Sequence, residues 1–450
     1  MKSHVLLFTT LLLLVVKTYA QQTILITNAQ VWDGTSDRVV PNTSVLIEDH
    51  LIVKVAPTIK APKGTQIIDA QGKTLIPGLS DAHVHLALTM GMQTIRGQAH
   101  WMYTALRAAA SAENFLMQGF TTVRDLGGPV FGLKKAIDEG LVPGPRIYPS
   151  GAFISQTSGH GDSRTANELS TYWYGNMMHP TDALGWAFVV DGRAEVLKAA
   201  RENLRQGATQ LKVMAGGGID SDFDPIHSVQ FTVDELRAAV SAAEDWDTYV
   251  AVHIYNSEGA IRALEAGVQC LDHGHLLNET AIKKIKEKNA WLVPQAYWID
   301  APADFWAPGQ DQIPPETLKK VKIVLEGTKR QMDLAKKHQI KMGFGSDAYG
   351  GLGLESLALM EFTARTKWYT PVEVLKQATS GNAQLLALSG KTNPYLEGPL
   401  GVIVAGAYAD LLIYEGNPLE DIRVLTDPKE HLKLIMKDGK IYKNELKKAD

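Results

Sequence analysis

Between about residues 79 and 390 the chain repeats one alternation, and this constrains its fold more than any other feature. Eight short apolar runs, DAHVHLAL, FTTVRDL, PRIYPSG, TQLKVMA, TYVAVHIY, VQCLDHG, AWLVPQAY and IKMGFGSDA, alternate with stretches of helical character. The clearest of these lie at 101–118, 192–206, 233–245, 256–267, 279–288 and 315–338. Strands apolar on both faces need cover on both, which is the condition of a parallel sheet flanked by helices. The pattern predicts an α/β chain whose centre is a (β/α)8 barrel of the TIM type. Two connections are unusually long, 151–190 after the third run and 298–314 after the seventh. Loops that follow barrel strands build the active site. Trp173, Tyr174, Trp298, Phe305 and Trp306 crowd these two loops and are candidates for an apolar substrate pocket.

The flanks have another texture. TILITNAQVW, SVLIEDHLIVKVA and TQIIDAQGKTLI are β-branched runs broken by turn residues, and ADLLIYEG and HLKLIMKDGKIYKN repeat the pattern near the C-terminus. Neither flank is long enough for a comfortable core of its own. A β-sandwich built from both termini is therefore expected, with halves at 21–78 and 391–450 around a barrel at 79–390.

The start, MKSHVLLFTTLLLLVVKTYAQQ, has a basic Lys2, an apolar run from Val5 to Val16, and small residues Thr18 and Ala20 before a cleavage point. It reads as a signal peptide at 1–20, since a membrane span needs about 20 apolar residues. The mature chain is then expected in a periplasm or outside the cell, with no membrane span. Cys270 is the only cysteine, so no internal disulfide can form; it reads as a small buried hydrophobe. With a net charge of −4 and no basic stripe or cluster, nothing suggests a nucleic-acid partner. The expected partner is a small molecule or dipeptide, with a homo-oligomer as the expected assembly.

Polar residues then collect where barrel chemistry sits, at the C-terminal ends of strands. His83 and His85 are two apart and so project from one strand face, a pair suited to a first-row metal. Lys212 lies in TQLKVMAGGG, where both faces are covered and a bare ammonium is costly. It should be neutral, paired or modified. His253 and Tyr255 share a face of VAVHIY, His273 and His275 follow in CLDHGH, and Asp347 closes GFGSDA. The glycines of AGGGID are expected to open room beside Lys212. Arg124 in TTVRD is expected to pair with Asp125 or a neighbouring loop, and less to touch substrate.

This constellation resembles the metal-dependent amidohydrolase superfamily over nearly the whole mature chain. PGLSDAHVH, TTVRDLGG, SGHGD, LKVMAGGG and DHGH look most like its imidazolonepropionase-like branch with prolidase activities. The resemblance implies two divalent metal ions, zinc foremost, and a carbon dioxide-derived carbamate on Lys212 bridging them. His83, His85 and Asp347 would complete one metal site. His253 and His273 would complete the other, His273 being preferred to His275 because the family has His-Gly after an acidic residue, here Asp272. It also implies that Asp347 is the catalytic base and that His160 of SQTSGHGD contacts the substrate carbonyl or terminal carboxylate; Tyr255, on the same strand face as His253, is expected to donate to the developing oxyanion. The implied activity is hydrolysis of an amide or peptide bond, by a dipeptidase or carboxypeptidase of Xaa-Pro or N-acyl amino acid type. Alternatives are a non-peptide or cyclic amide, such as an ochratoxin-like amide or an imidazolone, and less favourably deamination, because Lys212 argues for two metals.

Overall fold

A computed structural model describes residues 22–170, 173, 179–221, 223–300, 315–349 and 351–446. The expected signal peptide and the candidate pocket residues Tyr174, Phe305 and Trp306 lie outside the described residues.

The fold is α/β with parallel sheets. Strands from the two ends of the chain share one sheet. From the N-terminal end come β1 (Thr23–Val31), β2 (Val40–Glu48), β3 (Leu51–Ala56), β4 (Gln66–Asp69) and β5 (Thr74–Pro77). The central strands are β6 (Leu79–Val84), β7 (Phe120–Asp125), β8 (Arg146–Pro149), β9 (Phe153–Ser155), β10 (Ala187–Val189), β11 (Leu211–Met214), β12 (Val250–Asn256), β13 (Cys270–Leu276), β14 (Trp291–Val293) and β15 (Lys341–Met342). The C-terminal end adds β16 (Leu411–Tyr414), β17 (Leu432–Lys437) and β18 (Lys440–Asn444). The terminal sheet runs β18-β17-β16-β5-β1-β2-β3, with β4 beside β1. The antiparallel pair Leu411–Pro77 begins the seam between the two ends. Ile24, Ile26, Val45, Ile47, Leu411, Ile413 and Leu434 fill a core beneath this sheet.

The central strands form two parallel sheets, β6-β7-β8 and β10-β9-β11-β12-β13-β14-β15. Every residue of β6, β7, β8 and β11 is buried, as their two-sided apolar sequences require. Backbone bonds connect the two sheets at both sides. Thr209 N–H donates to Pro149 O at 2.8 Å, and Ala82 N–H donates to Phe344 O at 2.8 Å. Val84 also bridges Ala348 in parallel.

The six clearest helical stretches form helices Trp101–Met117, Arg193–Gln206, Val233–Glu244, Ser257–Ala266, Glu279–Glu287 and Pro315–Lys337. Local chemistry sets their ends. Thr232 and Glu235 make a capping box, and the Asn256 and Asn278 side chains accept from Gly259 N–H and Ala281 N–H. Asn256 is also the last residue of β12, so its cap fixes the strand end that carries His253 and Tyr255.

The third run departs from expectation. PRIYPSG gives β8 and then breaks, because Gly151 takes φ +76° and the Asn203 side chain bonds both the N–H and the carbonyl of Ala152. The chain resumes as β9, and β9 and β10 add short strands to a segment expected to be a loop.

Candidate metal centre

His83 and His85 converge as their spacing requires, with Nε2 atoms 3.3 Å apart. Asp347 Oδ1 lies 3.3 Å from His83 Nε2 and 3.2 Å from His85 Nε2. One ligand atom from each residue falls within 4.8 Å of the others, a possible metal site, and all three residues are buried. Asp347 is placed by its own backbone: its N–H donates to His83 O at 2.7 Å, and its φ is +54°. A non-glycine residue in that region costs free energy, and such strain gathers at working sites.

Beneath this trio lies Asp272, fully buried at the end of β13's apolar half. Its Oδ1 accepts from Arg124 Nη2 at 2.8 Å, and its Oδ2 accepts from Lys212 Nζ at 3.2 Å. His83 Nδ1 stands 3.2 Å from Asp272 Oδ1 but off the direction a hydrogen bond needs. Arg124 therefore does not pair with Asp125. It turns inward, and its other donors meet Ala82 O at 2.5 Å, Tyr249 OH at 3.1 Å and Cys270 Sγ at 3.3 Å. Asp125 instead accepts from the N–H groups of Leu86 and Gly127. Burial pulls the Lys212 ammonium below the usual lysine range, against the pull of Asp272. Lys212 is thus buried and paired with Asp272.

His253 and His273 stand beside the trio. Their ring centroids are 4.5 Å apart, and His273 lies 4.9 Å from the His83 ring. His273 takes φ +71°, which breaks the strict alternation of β13 and separates its two histidines. His273 Nδ1 is 2.8 Å from Gln295 Oε1, leaving Nε2 for another partner. His275 turns away, with Nε2 3.3 Å from Gln295 O and its ring 4.7 Å from Trp298. Burial holds His83, His253 and His273 well below the usual imidazole range, aided by like-charged neighbours. Neutral imidazoles with free ring nitrogens are the form that ligates a metal. The donor set of His83, His85 and Asp347 therefore fits a divalent ion. The Tyr255 ring packs edge-on to His253 at 5.0 Å and lies 5.2 Å from His273.

His160 reaches the same place from its loop. Its ring stacks on His253 at 4.1 Å and 18°. The three glycines after β11 do not open room beside Lys212. A Cβ on Gly216 would meet Ile254, on Gly217 the Pro225 carbonyl, and on Gly218 the His160 ring at 1.9 Å. They let the loop press against its neighbours. Of the aromatic residues expected to line a pocket, Trp298 is buried against His273 and His275 while Trp173 is exposed.

The sequence profile of the amidohydrolase family matches residues 74–442. The chain belongs to the amidohydrolase family. It is 32% identical over 418 residues to the ochratoxinase of Aspergillus niger, covering 89% of this chain and 83% of that protein. A prolidase solved in complex with N-methylphosphonate-L-proline superposes with a TM-score of 0.85 at 34% identity, covering 94% of this chain and all of that one. A Xaa-Pro dipeptidase with bound methionine gives 0.80 at 29% identity, covering 94% of this chain and 100% of that one. This amidohydrolase is a metal-dependent hydrolase of carbon–nitrogen bonds.

Sequence reasoning missed Gln295, which holds His273, and Asp224 and Ser221, which face His160. Gln295 lies in the seventh run just past the end of β14, and Asp224 follows the glycines, positions that signal an active-site rim. No spacing rule links them to a distant histidine.

Proposed function

We propose that the protein is an exported binuclear amidohydrolase that removes a C-terminal amino acid, proline foremost, from a dipeptide or N-acyl amino acid. The observation that carries this reading is the meeting of His83, His85 and Asp347 with Lys212, His253 and His273 in one buried cluster. Similarity to a prolidase and a Xaa-Pro dipeptidase over nearly the whole chain supports the substrate class. The central strands are read as a closed (β/α)8 barrel, supported by the backbone bonds on both sides of β6-β7-β8. The chain divides into a leader at 1–20, the barrel at 79–390 and terminal halves of a β-sandwich at 21–78 and 391–450.

His83, His85 and Asp347 would hold one divalent ion and His253 and His273 a second, with a carboxylated Lys212 between them; zinc is the first candidate. Bound there, the ions supply Lewis acidity and acidify water toward neutral pH. The residues do the rest. Asp347 keeps Oδ2 to hold the proton that water loses and the leaving amine nitrogen gains. Tyr255 donates its phenolic hydrogen to the substrate carbonyl oxygen. His160 donates to the substrate carboxylate and orients the scissile bond. Gln295 fixes the His273 ring, and Arg124 fixes Asp272 beneath Lys212.

The second reading, hydrolysis of an ochratoxin-like or cyclic amide, is favoured by the ochratoxinase identity and the aromatic wall of Trp298. A panel of Xaa-Pro dipeptides, N-acyl amino acids, ochratoxin A and an imidazolone separates the two. Release of free proline with the highest kcat/KM supports the first reading. Turnover confined to ochratoxin A or the imidazolone overturns it.

A further inference from the structure

Lys320 stands in the first turns of helix Pro315–Lys337 and touches none of the candidate metal ligands, yet its ammonium is fully engaged. Nζ donates to Gly218 O at 2.9 Å, Ser221 O at 2.6 Å and Asp224 O at 2.9 Å. An ammonium has three donors, and here all three end on the loop that follows β11. Asp224 Oδ1 lies 3.9 Å away, and the Lys320 side chain is only 15% exposed. Its neighbour Lys319, by contrast, pairs locally with Glu316 on the surface.

The loop that Lys320 grips meets the centre from two directions. On one side, Ser221 Oγ is 2.8 Å and Asp224 Oδ2 3.4 Å from His160 Nδ1, Gly218 lies flat against the His160 ring, and that ring stacks on His253. On the other, Asp220 Oδ2 accepts from Tyr349 OH at 3.0 Å, and the Tyr349 ring stands edge-on to His85 at 6.0 Å. A grip on three carbonyls is thus transmitted to a side chain that faces substrate.

We propose that Lys320 is a positioning residue: by clasping the carbonyls of Gly218, Ser221 and Asp224 it fixes His160 against His253 and so sets substrate binding. The proposal rests on the reading of His160 as a substrate contact. Four variants test it: Lys320→Met, Lys320→Arg, His160→Ala, and Lys320→Met combined with His160→Ala. The kinetic probe is the Xaa-Pro dipeptide that the wild type cleaves best. Lys320→Met should raise KM about tenfold and change kcat by less than about threefold, the pattern of a misplaced binding group. Lys320→Arg should recover part of the loss, and Lys320→Met should add nothing once His160 is alanine. Hydrogen exchange without substrate should quicken at the Gly218 and His160 amides and stay unchanged in β1. Additive KM effects in the double variant, or unchanged exchange at Gly218 and His160, overturn the proposal. If the wild type cleaves no dipeptide, the peptidase reading fails by itself, and the exchange result still decides whether Lys320 holds His160.

Discussion

Two regions of this molecule bury charge, and they do it in opposite ways. Where the terminal sheet meets β8, the Arg146 guanidinium donates to Asp410 and Asp438 and lies over the Tyr408 ring at 4.2 Å. Only its Nε goes unbonded, and Lys437 nearby donates to Gly144 O at 2.9 Å. Opposite charges meet, and each of the two cations donates to an acceptor. In the metal centre, four imidazoles and a lysine crowd together: the Nε2 atoms of His83 and His85 stand 3.3 Å apart and both face Asp347, and the buried Nδ1 atoms of these two rings have no hydrogen-bond partner among the described residues. His273 and Asp347 also hold positive φ. Crowding buried ring nitrogens that cannot satisfy one another is costly, so the first region holds the fold and the second fits a divalent ion at His83, His85 and Asp347.

This contrast can be broken at either end. The largest effect is expected from Asp347→Asn, which should lower kcat by about a thousandfold or more while urea denaturation of the metal-free protein changes little. A matching loss of metal-free stability would show Asp347 to be structural. Next come the two buried arginines. Arg146→Met and Arg124→Met should each cost about 3–5 kcal/mol, because each strands a buried carboxylate. Only Arg124→Met should also lower metal content, through Asp272. If Arg146→Met lowers metal content per folded molecule as well, the two regions are not separate in role.

The smallest expected effect concerns pH. Burial raises the Asp125 carboxyl from 3.8 to about 6, against the pull of His85 and two backbone N–H groups. The folded state then binds this proton more tightly than the unfolded state does. Its contribution is full below the unfolded value and is lost as pH rises through about 6. One such proton gives a slope of at most about 1.4 kcal/mol per pH unit. Asp125→Asn should flatten the stability profile over this window by that slope, measured by urea denaturation of metal-free protein. An unchanged slope would show the carboxyl to be ionised in the fold.

The sequence was most legible where periodicity and chemistry agreed. His83 and His85 obey strand alternation and converge, and the six helices lie within a residue or two of their expected spans. Lys212 was marked by the cost of a bare ammonium, and it is buried and paired. What was not legible depends on contacts distant in sequence or on broken alternation. Arg124 chooses Asp272 over adjacent Asp125 because its side chain points inward from β7. His273 and His275 part company because His273 takes positive φ, which no spacing rule foresees. The glycines at 216–218 serve a close approach by Pro225 and His160, neither of them adjacent to the run.

The central claim is that this centre holds two metal ions linked through Lys212. The measurement that tests it most directly is elemental analysis of the purified protein, prepared with bicarbonate, beside Lys212→Ala. The account predicts close to two divalent ions per chain, falling sharply in the variant. About one ion per chain, unchanged by the substitution, would contradict it.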